Sequence, residues 1–261
     1  MRYIITERQY KLLNEIQFVD REYGETGLED KFLRNFVNYL GFPKKSIYKS
    51  VVDYFINVVG FDESEVNTSL IPPYLMDINR HSYFPEKFYQ KDVISGLCYH
   101  LAKNFIKLKN GSTGLSYFEE EKNYLVEYYF FDDELEQLAG YCKARKFVPR
   151  SLNKLYKLFP KDTYQVELIL GDPGYGKQMY MFLVNAHDCV MSDDVLFPGA
   201  LNMWVNVLPK MAVVGYITDK NKIGRMGPRN KVLNPRDIDV YFASKNMDVL
   251  DALRQGQSLV A

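Results

Sequence analysis

The chain of 261 residues has no excess charge of either sign, because 33 lysine and arginine residues balance 33 aspartate and glutamate residues. A neutral chain exerts no long-range attraction on a polyanion, so the overall electrostatic signature of a DNA-, RNA- or anionic-membrane-binding protein is absent. Long apolar runs are absent as well: the longest, such as 179–184 and 211–214, have the length of a strand. We therefore expect no membrane-spanning segment. Any electrostatic attraction of a ligand or partner has to come from local patches of charge.

Cysteine is scarce. Cys98, Cys142 and Cys189 are odd in number, lie more than 40 residues apart and form no C-x-x-C pair. This pattern favours buried free thiols in a reducing compartment over a disulfide framework. The start of the chain, Met1 to Gln9, has too short an apolar step for a secretory signal, so we expect a cytoplasmic or virion protein.

Aromatic residues, in contrast, are abundant. The chain has 21 tyrosines, 17 phenylalanines and one tryptophan, which is 15% of its residues, within a composition of 47% hydrophobic and 25% charged residues that is usual for a soluble globular protein. Large rings dominate the energetics of both cores and interfaces. The surplus therefore predicts a bulky core, an adhesive surface, or both.

The first 110 residues have the apolar spacing of helices. Helices are expected over about 7–18, 28–40, 46–59 and 92–106. The proline-containing stretch 67–89 is interpreted as a packed connector. The sequence Asn-Gly-Ser-Thr-Gly over 110–114 is the strongest turn signal, and it divides the chain into a helical (sub)domain over 1–110 and an α+β domain over 111–261.

Beyond this turn, strand-like segments dominate. Strands are expected over 115–118, 124–131, 164–170, 178–184 and 211–218, and helices over about 132–142 and 247–254. Strands that follow one another through short turns favour a mixed or antiparallel sheet with flanking helices. The fold class predicted for the whole chain is α+β, with a helical N-terminal half.

The most specific motif matches G-x-x-x-x-G-K. It comprises Gly171, Gly174, Gly176 and Lys177, and it follows the strand-like segment 166–170. Such a loop presents backbone N–H groups to phosphates, and its lysine reaches their oxygens. However, Gln178 replaces the Ser or Thr that holds Mg²⁺, and 179–184 has no helical stripe. The favoured interpretation is a β-hairpin turn between 164–170 and 178–184, and phosphate binding is the alternative.

A second candidate is a basic loop over 220–231. Five positive side chains lie within these 12 positions: Lys220, Lys222, Arg225, Arg229 and Lys231. Interleaved with glycine, they suit contact with a nucleic-acid backbone or an acidic protein surface. A solvated surface loop explains them equally well.

Two resemblances concern bacteriophage proteins. The opening Met-Arg-Tyr-Ile-Ile-Thr-Glu resembles the start of uncharacterised tailed-phage proteins, which implies a virion or accessory protein. The strand 211–218, the basic loop and 232–237 resemble the end of phage-encoded restriction-type nuclease domains, which implies Mg²⁺-binding acids and a lysine two residues after a glutamate. Asp162 and Glu167 are the nearest acids, but Ile169 stands where the lysine is expected.

No complete catalytic constellation is recognisable. The His187-Asp188-Cys189 run rarely suffices for a metal site, and we expect neither a metal nor a cofactor. The sequence therefore favours a non-catalytic binding or assembly protein that docks a protein partner or copies of itself through aromatic surface. The alternative is a phosphate-handling enzyme, which binds a nucleotide through Gly171–Lys177 or contacts nucleic acid through the 220–231 loop.

Overall fold

A computed structural model describes residues 27–40, 44–63, 91–149, 154–193, 196, 198–227 and 237–260. The expected helix 7–18 and the connector 67–89 lie outside these residues. In the described part of the first half, the chain forms three helices where the sequence predicts them. These are α1 (Gly27–Leu40), α2 (Lys44–Asp53), which continues into a π-helical turn (Tyr54–Val58), and α3 (Lys91–Phe105). A helical N-terminal half as a whole is not supported, because so much of it lies outside the described residues.

The described residues form one mixed sheet of nine strands in the order β1-β2-β3-β4-β5-β6-β9-β7-β8. The strands are β1 (Lys109–Asn110), β2 (Ser116–Lys122), β3 (Leu125–Asp132), β4 (Gln137–Lys146), β5 (Thr163–Gly171), β6 (Cys189–Met191), β7 (Val213–Thr218), β8 (Ile223–Arg225) and β9 (Ile238–Ser244). β5 pairs with β6 in parallel, while the β4–β5, β6–β9, β7–β9 and β7–β8 pairs are antiparallel. The α+β class is confirmed.

Helices also flank the second half of the sheet. They are α4 (Gly176–Ala186), α5 (Pro198–Asn202), which continues through a π-helical turn (Met203–Val207) and a 3-10 turn (Leu208–Lys210), and α6 (Asp248–Val260); a further 3-10 turn covers Lys154–Leu158. Among the described residues, no helix is both long and apolar enough to cross a membrane.

Two expected elements are wrong. The strand predicted over 178–184 is helix α4, whose residues Met179, Tyr180, Phe182, Leu183 and Val184 are all buried. A helix buried on several sides has no apolar stripe, so its periodicity resembles a buried strand. The helix predicted from Asp132 is also absent: the Asp132 carboxylate accepts hydrogen bonds from the backbone of Glu134 (2.9 Å) and Leu135 (3.0 Å), and this turn leads into β4.

The chain divides into two compact units. One contains the described residues up to Lys109 together with 116–118 and 129–139; the other contains 110–115, 119–128 and the described residues from 140 onwards. In the first unit, the Phe32 ring packs edge-on against Tyr129 (5.3 Å between centroids) and Phe131 (5.4 Å), and all three are buried. In the second, one core cluster forms around Phe159, Phe242 and Leu253.

These cores contain many of the described aromatic residues. Tyr128 and Tyr129 are neighbours on β3, and both are buried, at 3% and 0% exposure. Among the described residues, Tyr124 is the one aromatic side chain in the set of exposed large hydrophobic residues. The described rings therefore serve mainly to fill the interior.

We expect Tyr129→Ala to lower the free energy of unfolding by about 3–5 kcal/mol, because it removes a fully buried ring. The matched change Tyr124→Ala, at a ring that is 64% exposed, should alter the free energy by no more than about 0.5 kcal/mol. Urea titration followed by circular dichroism measures both. Equal losses in the two variants would contradict the assignment of these rings to core and surface.

Candidate phosphate-binding site

The glycine-rich motif lies between a strand and a helix. β5 ends at Gly171, a tight turn follows in which the Tyr175 N–H donates to the Asp172 carbonyl (3.2 Å), and α4 begins at Gly176. Gly174 has a φ of +103°, a conformation that side-chain-bearing residues rarely adopt. The hairpin interpretation is therefore wrong, and the strand, loop and helix required by the phosphate-binding interpretation are all present.

The N-terminus of α4 has an unusual first turn. Tyr175 occupies the N-cap position without a side-chain cap hydrogen bond, and the first turn of the helix has no acidic residue. It contains Lys177 instead, although a cation at the positive end of a helix dipole is unfavourable. An anion bound at this end would accept hydrogen bonds from the first N–H groups of the helix. It would also neutralise the charge of Lys177, so both unfavourable features would be relieved.

Gly176 is not required by the fold. Its φ lies outside the positive range, and an added Cβ would meet only the Met203 methyl group at 3.5 Å, an ordinary contact. Alanine is favoured over glycine within a helix by about 0.5–1 kcal/mol. The missing side chain therefore has no explanation in packing, but it leaves the backbone open to close approach by a ligand.

β5 and β6 separate beside this loop. Their parallel pairing covers only residues 163–165 of β5, whereas β5 continues to Gly171 with pairing to β4 on its other side. β6 is drawn away towards β9, because the Ser192 N–H donates to the Tyr241 carbonyl (2.8 Å). Within the described residues, the β5 edge over 166–171 has no partner strand on this side. We call this opening the fork.

A β-bulge lies on each side of the fork. On β5, Glu167 is the extra residue, since Lys143 and Ala144 of β4 face Leu168 and Val166. On β9, the extra residue is Asp239, since Ile217 and Thr218 of β7 face Val240 and Ile238. Bulges bend a strand and redirect its side chains, and they are frequent next to functional sites.

The two bulge carboxylates have different partners. Glu167 forms ion pairs with Lys143 (2.9 Å) and with Arg145. Asp239 is exposed and accepts a hydrogen bond from the Tyr156 hydroxyl. Glu167 is thus paired with two cations, whereas Asp239 takes part in no ion pair among the described residues.

The basic loop is described in part. Lys220 and Lys222 lie in the turn between β7 and β8, Arg225 ends β8, and all three are exposed; Arg229 and Lys231 lie outside the described residues. β7 is antiparallel to β9, which is antiparallel to β6, so β7 runs in the same direction as β5. The β7–β8 turn and the glycine-rich loop therefore lie at the same end of the sheet.

His187 belongs to a hydrogen-bonded network. Its Nδ1 lies 3.2 Å from the Asp162 carboxylate and its Nε2 lies 3.0 Å from the Tyr128 hydroxyl, while the Tyr164 ring lies 4.1 Å from the imidazole. A neutral imidazole satisfies both partners when Nδ1–H donates to Asp162 and Nε2 accepts from Tyr128. Burial lowers the pKa of His187 and is the largest influence on it. The negative charge of Asp162 acts in the opposite direction and raises this pKa.

The other metal candidates do not converge. Asp188 is exposed while Cys189 is buried, and in the described part of the chain no group of three or more His, Cys, Asp or Glu side chains is arranged to hold a metal ion. Asp162 is engaged with His187 and Glu167 with two cations, so the acids suggested by the nuclease resemblance have separate partners. The three cysteines are free and buried.

The sequence does not predict the fork, and it does not single out Asp239 or Tyr156 as site residues. The strand β9 was detectable, since Ile238 to Ser244 is rich in β-branched and aromatic residues. The separation of β5 from β6 and the two bulges have no local sequence signal. No family model, curated protein or solved structure matches the chain.

The His187 network predicts a pH dependence of stability. Because the folded pKa is below the unfolded value of about 6.5, the unfolded chain binds the proton first, and stability falls as the pH drops through 6.5 towards the folded pKa. His187→Gln should show a shallower loss of unfolding free energy between pH 7 and 5.5 than the wild type, measured by urea titration. Parallel curves for the two proteins would rule out this role.

Proposed function

We propose that the chain binds the diphosphate of an acyl carrier of the coenzyme A type at the loop 172–177 and functions in acyl transfer. The observation that carries this proposal is the position of a glycine-rich helix N-terminus directly after a strand that, among the described residues, has no partner strand on one edge over 166–171. This proposal develops the phosphate-handling alternative that the sequence suggests, and it names an acyl carrier as the class of ligand.

The loop supports binding of a diphosphate more than its hydrolysis. The first backbone N–H groups of α4 and the Lys177 ammonium supply donors and positive charge for phosphate oxygens. Phosphoryl transfer normally also needs a metal, which a P-loop holds through a hydroxyl. Position 178 is glutamine, so the phosphates suit the role of a handle on a ligand that reacts elsewhere.

The fork supports an extended arm on this ligand. Residues 166–171 offer backbone N–H and C=O groups along about 15–20 Å of strand edge. An extended ligand with amide groups forms hydrogen bonds with such an edge as an added strand does. Because the loop follows Gly171, an arm that starts at the diphosphate runs back along β5 and ends where β5 and β6 still pair.

Coenzyme A combines these features, since it joins a nucleoside diphosphate to an amide-containing arm that ends in a thiol, and it serves as a carrier of acyl groups. Lys220 and Lys222 lie at the same end of the sheet and add positive potential for the nucleotide part. Lys177 adds to this potential, and the carboxylates of Asp172 and of Asp219, which lies beside Lys220, oppose it.

The alternative of a non-catalytic assembly protein rests on the aromatic surplus and on the incomplete catalytic constellations in the sequence. The described aromatic rings are mainly buried, so the surplus favours a core more than a docking surface. The loop and the fork provide a specific geometry for a small ligand, and we therefore prefer the acyl-carrier proposal to partner docking.

Gly176→Ala separates ligand binding from folding. The added methyl group should leave the melting temperature unchanged or raise the stability by up to about 1 kcal/mol. It should weaken acetyl-coenzyme A binding about tenfold or more, because it covers the N–H groups that contact the diphosphate. Isothermal titration calorimetry measures the affinity, with Gly199→Ala, where an added Cβ meets nothing, as the matched control. Unchanged affinity in Gly176→Ala would contradict the proposal.

Lys177→Ala tests the charge at the loop. Loss of a charge-assisted hydrogen bond, worth about 1.5–3 kcal/mol, should weaken acetyl-coenzyme A binding ten- to hundredfold. Lys161→Ala, an equal change at the opposite end of β5, should have no effect. Titration of ADP should give weaker binding than dephospho-coenzyme A, because ADP lacks the arm. Binding of ATP only with Mg²⁺, or equal affinity for ADP and dephospho-coenzyme A, would refute the proposed ligand class.

A further inference from the structure

A cavity of about 760 Å³ opens beside the fork, within the second unit. Its lining includes Lys146, Tyr156, Gln165, Met191, Asp239 and Val240. This volume is typical of a small-molecule site. Polar and charged residues make up more of the lining than apolar ones do, which suits a charged ligand. The loop 172–177 does not contribute to it, so the cavity is separate from the proposed diphosphate site.

The cavity lies where the arm of the proposed carrier would end. Gln165 and Met191 form the last pair of the parallel β5–β6 ladder, immediately before the strands separate, and both line the cavity. Val240 and Asp239 reach it from β9 on the other side of the fork. An acyl group at the end of an arm that follows β5 back from Gly171 therefore arrives at this cavity.

Charges of both signs remain in the cavity after ion pairing. Of the three cations that line it, Lys122 pairs with Glu120 (2.5 Å) and Arg145 pairs with Glu167. Within the described part of the chain, neither Lys146 nor Asp239 takes part in an ion pair. A ligand that complements both carries a cation for the carboxylate and an anion for the lysine.

The position of Asp239 is set by its bulge and by Tyr156. As the extra residue on β9, Asp239 is freed from the strict alternation of the strand, and the Tyr156 hydroxyl from the 3-10 turn donates to its Oδ2. A carboxylate has further acceptor sites when one is occupied. Asp239 can therefore hold an ammonium group of a ligand while Tyr156 fixes its orientation.

We propose that this cavity binds the acyl acceptor, a small zwitterionic amine of the amino-acid class, with its amino group at Asp239 and its acid group at Lys146. This inference rests on the proposed function. After the ammonium group releases one proton to solvent, the nitrogen lone pair bonds to the thioester carbonyl carbon. The carbon–sulfur bond breaks with its electron pair on sulfur, the nitrogen loses its second proton to solvent, and the thiolate takes up one proton. The products are an N-acylated acceptor and free thiol.

The test uses the full chain with acetyl-coenzyme A as donor and follows the release of thiol. The acceptors are the twenty amino acids, their amides, in which the acid is neutral, and the corresponding decarboxylated amines. We expect transfer to one or more amino acids and at least tenfold lower kcat/KM for the matching amide and amine. Asp239→Asn and Lys146→Ala should each raise the acceptor KM at least tenfold, and Asp237→Asn serves as the matched carboxylate control.

The affinity for acetyl-coenzyme A, measured on the same variants, separates the two proposals. Unchanged affinity with a raised acceptor KM supports the acceptor site and shows that the variants fold. Intact affinity with no transfer to any acceptor, or an acceptor KM unchanged in Asp239→Asn, overturns the acceptor site and leaves the carrier site standing. Absence of acetyl-coenzyme A binding in the wild type overturns both.

Discussion

The separation of β5 from β6 is the constraint on which the arrangement of the site depends. Backbone N–H and C=O groups must find partners, so a strand that leaves its neighbour needs another one. β6 satisfies this requirement through β9: Ser192 donates its N–H to the Tyr241 carbonyl (2.8 Å) and accepts the Tyr241 N–H at its Oγ (3.1 Å). Among the described residues, β5 has no such replacement over 166–171 on this edge, and the two bulges bend the strands that border the opening.

Ring packing and hydrogen bonds fix helix α4 near its N-terminus and just beyond its C-terminus. Near its N-terminus, the Tyr180 ring packs edge-on against Trp204, which stacks on Tyr241 of β9. Burial raises the pKa of Tyr180, so this ring remains neutral at physiological pH. Beyond the C-terminus, His187 is fixed by Tyr128 and Asp162. A helix fixed in this way holds its first N–H groups at a constant position relative to β5, and such preorganisation favours tight ligand binding.

The sequence predicts much of the fold and only fragments of the site. Helices with one apolar stripe, such as α3, and half-buried strands, such as β3, are predictable because local periodicity reflects burial on one side. α4 is mistaken for a strand because it is buried on several sides. The glycine motif is visible in the sequence, but the fork is not: it depends on which strand Ser192 joins, and that choice is made by residues about fifty positions apart.

The neutral charge of the chain fits a site built from backbone donors. A polyanion is bound by many side-chain cations, whose excess appears in the composition. A compact diphosphate is satisfied by a few N–H groups and one or two lysines, which leave the total charge near zero. In the described part of the chain, the cations at the loop end of the sheet are Lys177, Lys220 and Lys222, and all three are exposed. These three lysines together with the helix N-terminus fit the small anionic ligand that we propose better than they fit a nucleic acid. The composition by itself does not distinguish between these two kinds of ligand.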